Sequence, residues 1–283
     1  MEARIEFCRS NINMERGLFN EMMDVIHVDE KWFYMTQNSR KYYLGPDEEE
    51  PHRTTKSKRF PTKVMFLAAV ARPRWNTNEN RQFDGKIGLW PFTKIEIAQR
   101  NSRNRPAGTP VTKALDSVTN MEYCQFIIDK LLPAIRDKWP QHNPVKIRIQ
   151  QDNTRPHIAP SDPEFLEAVS ELGMNIELIC QPPNSPNLNV LDLGFFNAIQ
   201  GLQNKASPKN IDELVMAVEE SFKHLHWKKL NNVFLTLQKV MEAYLLCDGN
   251  NNYKIPHISK EKLERLGQLP VSIKVSNELK NKL

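Results

Sequence analysis

Residues 145–157 read Val145-Lys146-Ile147-Arg148-Ile149-Gln150-Gln151-Asp152-Asn153-Thr154-Arg155-Pro156-His157. Apolar and polar side chains alternate through the first half of this stretch with the period of a strand. Ile147 and Ile149 therefore share one face, and Arg148, Gln150 and Asp152 the other. The run ends on a carboxylate, after which Asn153, Arg155, Pro156 and His157 break the pattern into a polar turn. Strand ends that feed loops are where open α/β sheets collect their chemistry. A single acid at a strand end commonly caps a turn, so Asp152 becomes a candidate only if partners arrive in a comparable way.

Working outward, residues 25–29 form a short apolar run that again ends on an acid, Asp29, followed by Glu30-Lys31-Trp32-Phe33-Tyr34. Before it, the loose apolar spacing over 2–23 fits one or two helices. After it, 41–44 and 64–71 read as two further strands, which makes an early meander, and 84–90 as one more strand after a turn. Residues 99–113, rich in Arg, Asn, Pro and Gly, read as an exposed loop. Helical spacing appears over 120–139 and again over 163–172, where Gly173 supplies the stop, and a strand follows over 175–180. The prolines of 182–186 force an extended turn. A helix over 191–202 then carries Asp192 in its first turn, and two more helices cover 212–222 and 230–246. A polar turn at 248–253 precedes the C-terminal tail.

Composition bounds the class. The chain has 283 residues, 40% hydrophobic and 26% charged, enough to bury a substantial core in one large domain or two smaller ones. No apolar run reaches the length of a membrane span and the N-terminus lacks a signal-peptide core, so a cytosolic or nuclear protein is expected. Cys8, Cys124, Cys180 and Cys247 are far apart, without metal-ligand spacing, and read as reduced thiols. The net charge of +5 is compatible with a polyanionic partner without establishing one.

Three acids thus follow three strands: Asp29, Asp152 and Asp192, the last two separated by 39 residues. Phosphodiester transfer benefits from two divalent metals about 4 Å apart, and magnesium takes hard oxygen ligands from a few carboxylates. Three aspartates converging from different elements meet that requirement. In HVDEKWF (27–33), QQDNTRPH (150–157) and PPNSPNLNVLDLGFF (182–196), the chain resembles the catalytic region of mariner-like DNA transposases, in particular the plant group with this spacing of its last two aspartates. DGKIGLWPF (84–92), KNIDELVMAVEESF (209–222), NNVFLTLQKVMEAY (231–244) and GNNNYKIPH (249–257) extend the resemblance over nearly the whole chain.

The resemblance implies an α/β, RNase H-like fold with a central mixed β-sheet flanked by helices. It implies a helical lead-in over 1–23, the catalytic domain over 24–205, and a C-terminal helical extension over 206–283 packed on it. Asp29, Asp152 and Asp192 become the catalytic residues and the ligands of two Mg²⁺ ions, with Mn²⁺ as a substitute. The implied activity is cut-and-paste DNA transposition in the nucleus: water cleaves DNA at the transposon end, and the freed 3′-hydroxyl attacks a TA target. A homodimer holding two ends, with no membrane partner, belongs to the same picture. Arg53, Lys56, Lys58, Arg59 and Lys63, with Arg100, Arg103 and Arg105, are the candidates for phosphate contacts.

Asn153, His157 and Asn187 are candidates for support of the acids. The chain has Asn187 where relatives commonly carry Asp, and Thr154 where many carry Ala; an Asn there could alter a helix cap or a supporting hydrogen bond. Family members also carry N-terminal helix-turn-helix modules, whereas Met1 lies 28 residues before Asp29, so a catalytic region without them is expected. Each feature has a plainer reading. Asp29 and Asp152 can be turn residues, Asp192 a first-turn acid on a helix dipole, the basic cluster a solvated face, and Trp32, Trp90, Trp139 and His27 core or near-core. At the level of function the alternative is a truncated or domesticated relic that binds DNA or a partner without catalysis.

Overall fold

The computed structural model describes residues 1–35, 44–49, 61–103, 105–140 and 146–283. Its centre is a five-stranded mixed sheet. Strands β1 (Val25–Tyr34), β2 (Lys63–Ala71) and β3 (Lys86–Pro91) form an antiparallel meander. Strand β4 (Ile147–Gln151) joins the other side of β1 in parallel, and β5 (Ile176–Cys180) adds parallel to β4, giving the order β5-β4-β1-β2-β3. At the β2–β3 connection, Gly85 has φ +80°, and a Cβ there would lie 2.2 Å from the Ala71 carbonyl. Only glycine lets the turn come this close.

Both faces of the sheet are buried, as parallel pairing requires. Ile26, Val28, Leu67, Ala69, Ile147, Ile149 and Leu178 point to one side. Covering that side are α2 (Asn120–Phe126), a π-helical turn (Ile127–Leu131), α3 (Leu132–Lys138) and α4 (Pro163–Leu172). The π turn stands where Pro133 cannot donate a backbone hydrogen bond to the preceding turn, so Leu132 N–H reaches back to Ile127 O instead. Val25, Phe33, Phe66, Ala68 and Val70 point to the other side. Helix α1 (Glu2–Ser10) there shares a core with α5 (Phe196–Gln203), α6 (Ile211–His224) and α7 (Trp227–Leu246). Two short helices, α8 (Lys260–Arg265) and α9 (Asn277–Lys280), complete the C-terminal segment, and its Ile273, Val275 and Leu279 join this core. No helix among the described residues is long and apolar enough to cross a membrane.

Several sequence expectations change here. The lead-in is α1 followed by a small hairpin pairing Ile12–Asn13 with Leu18–Phe19, where Gly17 turns the chain, and not a second helix. The first strand runs on to Tyr34, because β2 continues to pair with it after β4 has ended. Residues 41–43 of the expected second strand lie outside the described residues. The loop expected over 99–113 is the upper part of a hairpin, Thr93–Ile97 paired with Pro110–Ala114. The four cysteines are free, with Cys8 and Cys124 buried. Trp139 is buried, whereas Trp32 and Trp90 are only partly so.

His27 is completely buried against Phe234 of α7, and neither ring nitrogen has a hydrogen-bond partner. Burial, reinforced by the positive Arg148, pushes its pKa down to about 3. The unfolded chain therefore takes up a proton below about pH 6.5 that the folded chain refuses, and stability drops as pH falls from there toward 3. Relative to His27→Leu, the native protein is expected to lose up to about 1.4 kcal/mol per pH unit across that window. Urea denaturation at a series of pH values reads this directly; a stability difference that does not vary with pH would refute the buried neutral imidazole.

Candidate active site

Pairing register brings the first two acids together. Arg148, Ile149 and Gln150 stand opposite Val25, Ile26 and His27; continuing by two residues sets Asp152 level with Asp29 on the neighbouring strand. Both lie on the face that carries Val25 and His27, toward α5 to α7. Asp192 arrives from the opposite direction. After β5 the chain passes residues 182–186 and a 3₁₀ turn (Pro186–Leu188), then enters a π-helical turn (Leu191–Phe195) that runs into α5. Asp192 is the second residue of that turn, and its carboxyl lies near enough to Asp29 for each to affect the other's ionisation. Asp152 and Asp192 face each other across a cleft of about 230 Å³, with Asn153, Gln181 and residues 182–186 completing its walls.

Neutral amides fix this arrangement from behind. Asn189 is fully buried; its Nδ2 donates to the Val28 carbonyl at 3.0 Å and its Oδ1 accepts from Leu191 N–H at 3.0 Å, pinning the start of the Asp192 turn to the strand of Asp29. Gln150 Nε2 donates to the Leu188 carbonyl at 3.0 Å and to Gln181 Oε1 at 3.3 Å. Asn153, one of the expected supports, donates to the Gln181 carbonyl at 3.3 Å. From α1, the buried Arg4 donates to Ser185 Oγ at 2.8 Å, to the Asn184 carbonyl at 2.9 Å and to the Gly249 carbonyl, so the lead-in helix holds the cleft wall. Asn187 does not cap the helix of Asp192, since Asn189 does; its amide donates to Tyr253 Oη at 3.1 Å. Asn189, Gln150 and Arg4 were not singled out from sequence.

His157 occupies the centre of a second arrangement. Its Nδ1 lies 2.7 Å from Asp152 Oδ1 and its Nε2 3.0 Å from Glu30 Oε2. The ring stacks on Tyr123 at 4.2 Å, and Tyr123 Oη donates to Gln151 Oε1 at 3.0 Å. Glu30 follows Asp29 and so projects from the opposite face of β1, which is why His157 reaches it from the α2 side. Burial would lower the His157 pKa, but the hydrogen bonds to Asp152 and Glu30 outweigh it and raise it to about 10. The imidazolium in turn holds Asp152 below its ordinary value, against the opposing effect of burial.

Among the described residues, no cation forms an ion pair with Asp29 or Asp192. Burial, then the charges of Asp192 and Glu30, push Asp29 well above the usual carboxylate range. Partial withdrawal of its carboxyl from water raises Asp192 too, offset in part by the neighbouring Asp29 carboxyl and by Lys31. The donor set is all oxygen and carries excess negative charge, which fits a hard divalent cation. The expected ligand trio is nevertheless not assembled: among the described residues, no three His, Cys, Asp or Glu side chains converge closely enough to hold one ion. Asp29 and Asp192 are near each other, whereas Asp152 commits Oδ1 to His157 and to Thr154 N–H.

The basic candidates separate. Lys63 sits at the start of β2 with its ammonium 3.8 Å from the Trp32 ring centroid, and Arg100, Arg103 and Arg105 lie exposed at the tip of the hairpin. Arg53, Lys56, Lys58 and Arg59 fall outside the described residues.

No protein-family model matches the sequence, and no curated protein matches it. Solved structures do. The chain is similar to a pre-cleavage Mos1 transpososome at 18% identity and a TM-score of 0.62, covering 89% of this chain and 64% of that one. It is similar to the Mos1 mariner paired end complex with Mn at 17% identity and a TM-score of 0.61, with 89% and 63% covered. Against the catalytic domain of Mos1 mariner transposase alone, identity is 16% and the TM-score 0.54, with 89% and 95% covered.

In metal-free buffer, Asp29→Asn is expected to raise the melting temperature by about 3 °C, roughly 1 kcal/mol for a chain of this size. The raised pKa sets the sign: above about pH 4 the unfolded chain releases the Asp29 proton and the folded chain retains it, so the gain grows as pH rises. Calorimetry at pH 5 and pH 7.5 separates this from a general effect of the substitution, which would be equal at both. The chain spans less than two thirds of the transposase chains in the assembled complexes and nearly matches the catalytic domain in extent. Its RNase H-like α/β architecture is the fold of the catalytic domain of Mos1 mariner transposase.

Proposed function

We propose that the chain is the catalytic region of a mariner-like DNA transposase, cleaving and joining DNA strands through Asp29, Asp152 and Asp192. The observation that carries this reading is that Asp152 directly follows the strand paired in parallel with that of Asp29, with Asp192 near enough for the three carboxyls to act on one another's ionisation. The three acids would hold two Mg²⁺ ions, with Mn²⁺ as a substitute, and such ions supply Lewis-acid activation of a phosphodiester. Solved neighbours include the Mos1 paired end complexes with Mn and with Mg.

The chain's own residues have defined parts. A proton retained on Asp29 beside Asp192 stands in for missing positive charge. His157 fixes the rotamer of Asp152, with Glu30 fixing His157 in turn, and the amides of Asn189 and Gln150 keep the third acid from drifting off the sheet. The substrate of this reading is the DNA of transposon ends. Hydrolysis frees a 3′-hydroxyl that then attacks a TA target. A homodimer working in the nucleus belongs to the same proposal, with Lys63, Arg100, Arg103 and Arg105 among its phosphate contacts.

One observation favours the second reading, a relic that binds DNA without cutting it. The three acids do not converge as a ready-made ligand set among the described residues. A plasmid-nicking assay with Mg²⁺ or Mn²⁺ decides between the two. The intact chain is expected to nick DNA only with the divalent ion, and Asp152→Ala to lose at least about 100-fold, beyond the 10- to 100-fold typical of groups that merely support metal ligands. Equal nicking by both proteins would sink the three-aspartate mechanism, and DNA association without metal-dependent nicking would select the relic.

A further inference from the structure

The segment that follows α7 folds back across it and leaves a groove of about 480 Å³ between α8, α7 and the helix that carries Asp192. Gly194, Phe195 and Ala198 form the wall contributed by that last helix. Asp192 faces the acid cleft, so one helix separates the two sites. The opposite walls carry Lys260, Lys262 and Arg265, together with Glu261, from the C-terminal segment, and Lys229 from α7.

The charges in this groove are not balanced internally. Glu264 of α8 pairs with Lys228, and Glu261 pairs with Lys229 at 3.7 Å, so both acids of α8 serve to dock it on α7. Among the described residues, no carboxylate pairs with Lys260, Lys262 or Arg265. Lys260 is the most telling of them. Its side chain is partly buried, its ammonium donates to the neutral Thr236 Oγ1 on α7, and burial lowers its pKa. A partly buried ammonium without a counterion is costly unless a ligand supplies one.

We propose that this groove seats the sugar–phosphate backbone of duplex DNA running past the acid cleft, with Lys260, Lys262 and Arg265 as phosphate contacts. This rests on the DNA-processing reading above. The unpaired cations Lys260, Lys262 and Arg265 are spread along α8, which suits a continuous polyanion better than one small anion. The shared helix is about 10–12 Å across, a separation that a duplex engaged at the acids bridges without bending. Contacts of this kind position DNA without reading its sequence.

Lys262 and Arg265 are exposed, so Lys262→Glu with Arg265→Glu tests the groove without disturbing the core. Fluorescence anisotropy of the full chain with a 40-base-pair duplex, over a salt series and in EDTA, is the measurement. Loss of two phosphate contacts is expected to flatten the slope of log K against log salt by about 2 and to weaken binding at least about tenfold near 0.1 M salt. The melting temperature should not move. An unchanged slope and affinity would overturn the groove, as would complete competition by millimolar inorganic phosphate, which would make it a small-anion pocket. Failure of the catalytic reading looks different: the double variant loses duplex affinity, yet the unsubstituted chain shows no Asp152-dependent nicking. If nicking depends on Asp152 but the double variant binds normally, only the groove is wrong.

Discussion

Strand β4 lies parallel to β1, and a parallel neighbour can be added only by a crossover long enough to carry the chain back along the sheet. Helices α2 and α3 provide that return, and their apolar positions bury one face of the sheet as they do so. Everything at the acid end follows from this constraint. Once β4 and β1 run the same way, both deliver their carboxyl-terminal residues to the same edge, and register decides which of those residues meet. Asp29 and Asp152 come level because Arg148 is opposite Val25. A slip of one residue would place Asp152 beside Glu30 or Val28, whose side chains point through the other face of the sheet.

Two charge arrangements then coexist within a few residues. Asp152 is neutralised from within by His157, itself shared with Glu30, and it is the acid whose pKa is lowered. Asp29 and Asp192 are raised by burial and by each other's neighbourhood of negative charge. The contrast gives the site its physical character: one acid held as an anion by an internal cation, and two whose ionisation is opposed by burial and neighbouring negative charge. Lys31 lies on the Asp192 side but directs its ammonium over the Phe196 ring at 5.7 Å, so it only moderates the charge there.

The alternation of residues 146–152 was enough to place Ile147 and Ile149 on one face and to bring Asp152 to a strand end, and the helical spacing of 163–172 gave α4 with its stop at Gly173. Those signals are local. The contacts that build the site are not: Asn189 reaches Val28 over 161 residues, Glu30 reaches His157 over 127, and Arg4 reaches Ser185 over 181. No periodicity announces such partners, because a buried amide and a turn amide look alike in sequence. The hairpin over 93–114 was missed for a different reason. Its Ile95 and Ile97 alternate correctly for a strand but remain exposed, and the Arg-, Pro- and Gly-rich tip resembles an open loop. Even the glutamines of β4 mislead, since Gln150 and Gln151, on opposite faces, are as buried as the isoleucines beside them.

The choice of neutral amides behind the acids has its own logic. Gln150, Gln151, Gln181 and Asn189 each occupy buried positions where backbone groups at strand ends and helix starts need partners. A lysine or arginine in these places would satisfy the carbonyls, but it would also neutralise Asp29 and Asp192 and compete with any cation they could take. A further carboxylate would deepen a repulsion that already raises both. An amide donates and accepts without altering the charge balance. It therefore holds the turn of Asp192 against the strand of Asp29 without altering the charge around either acid.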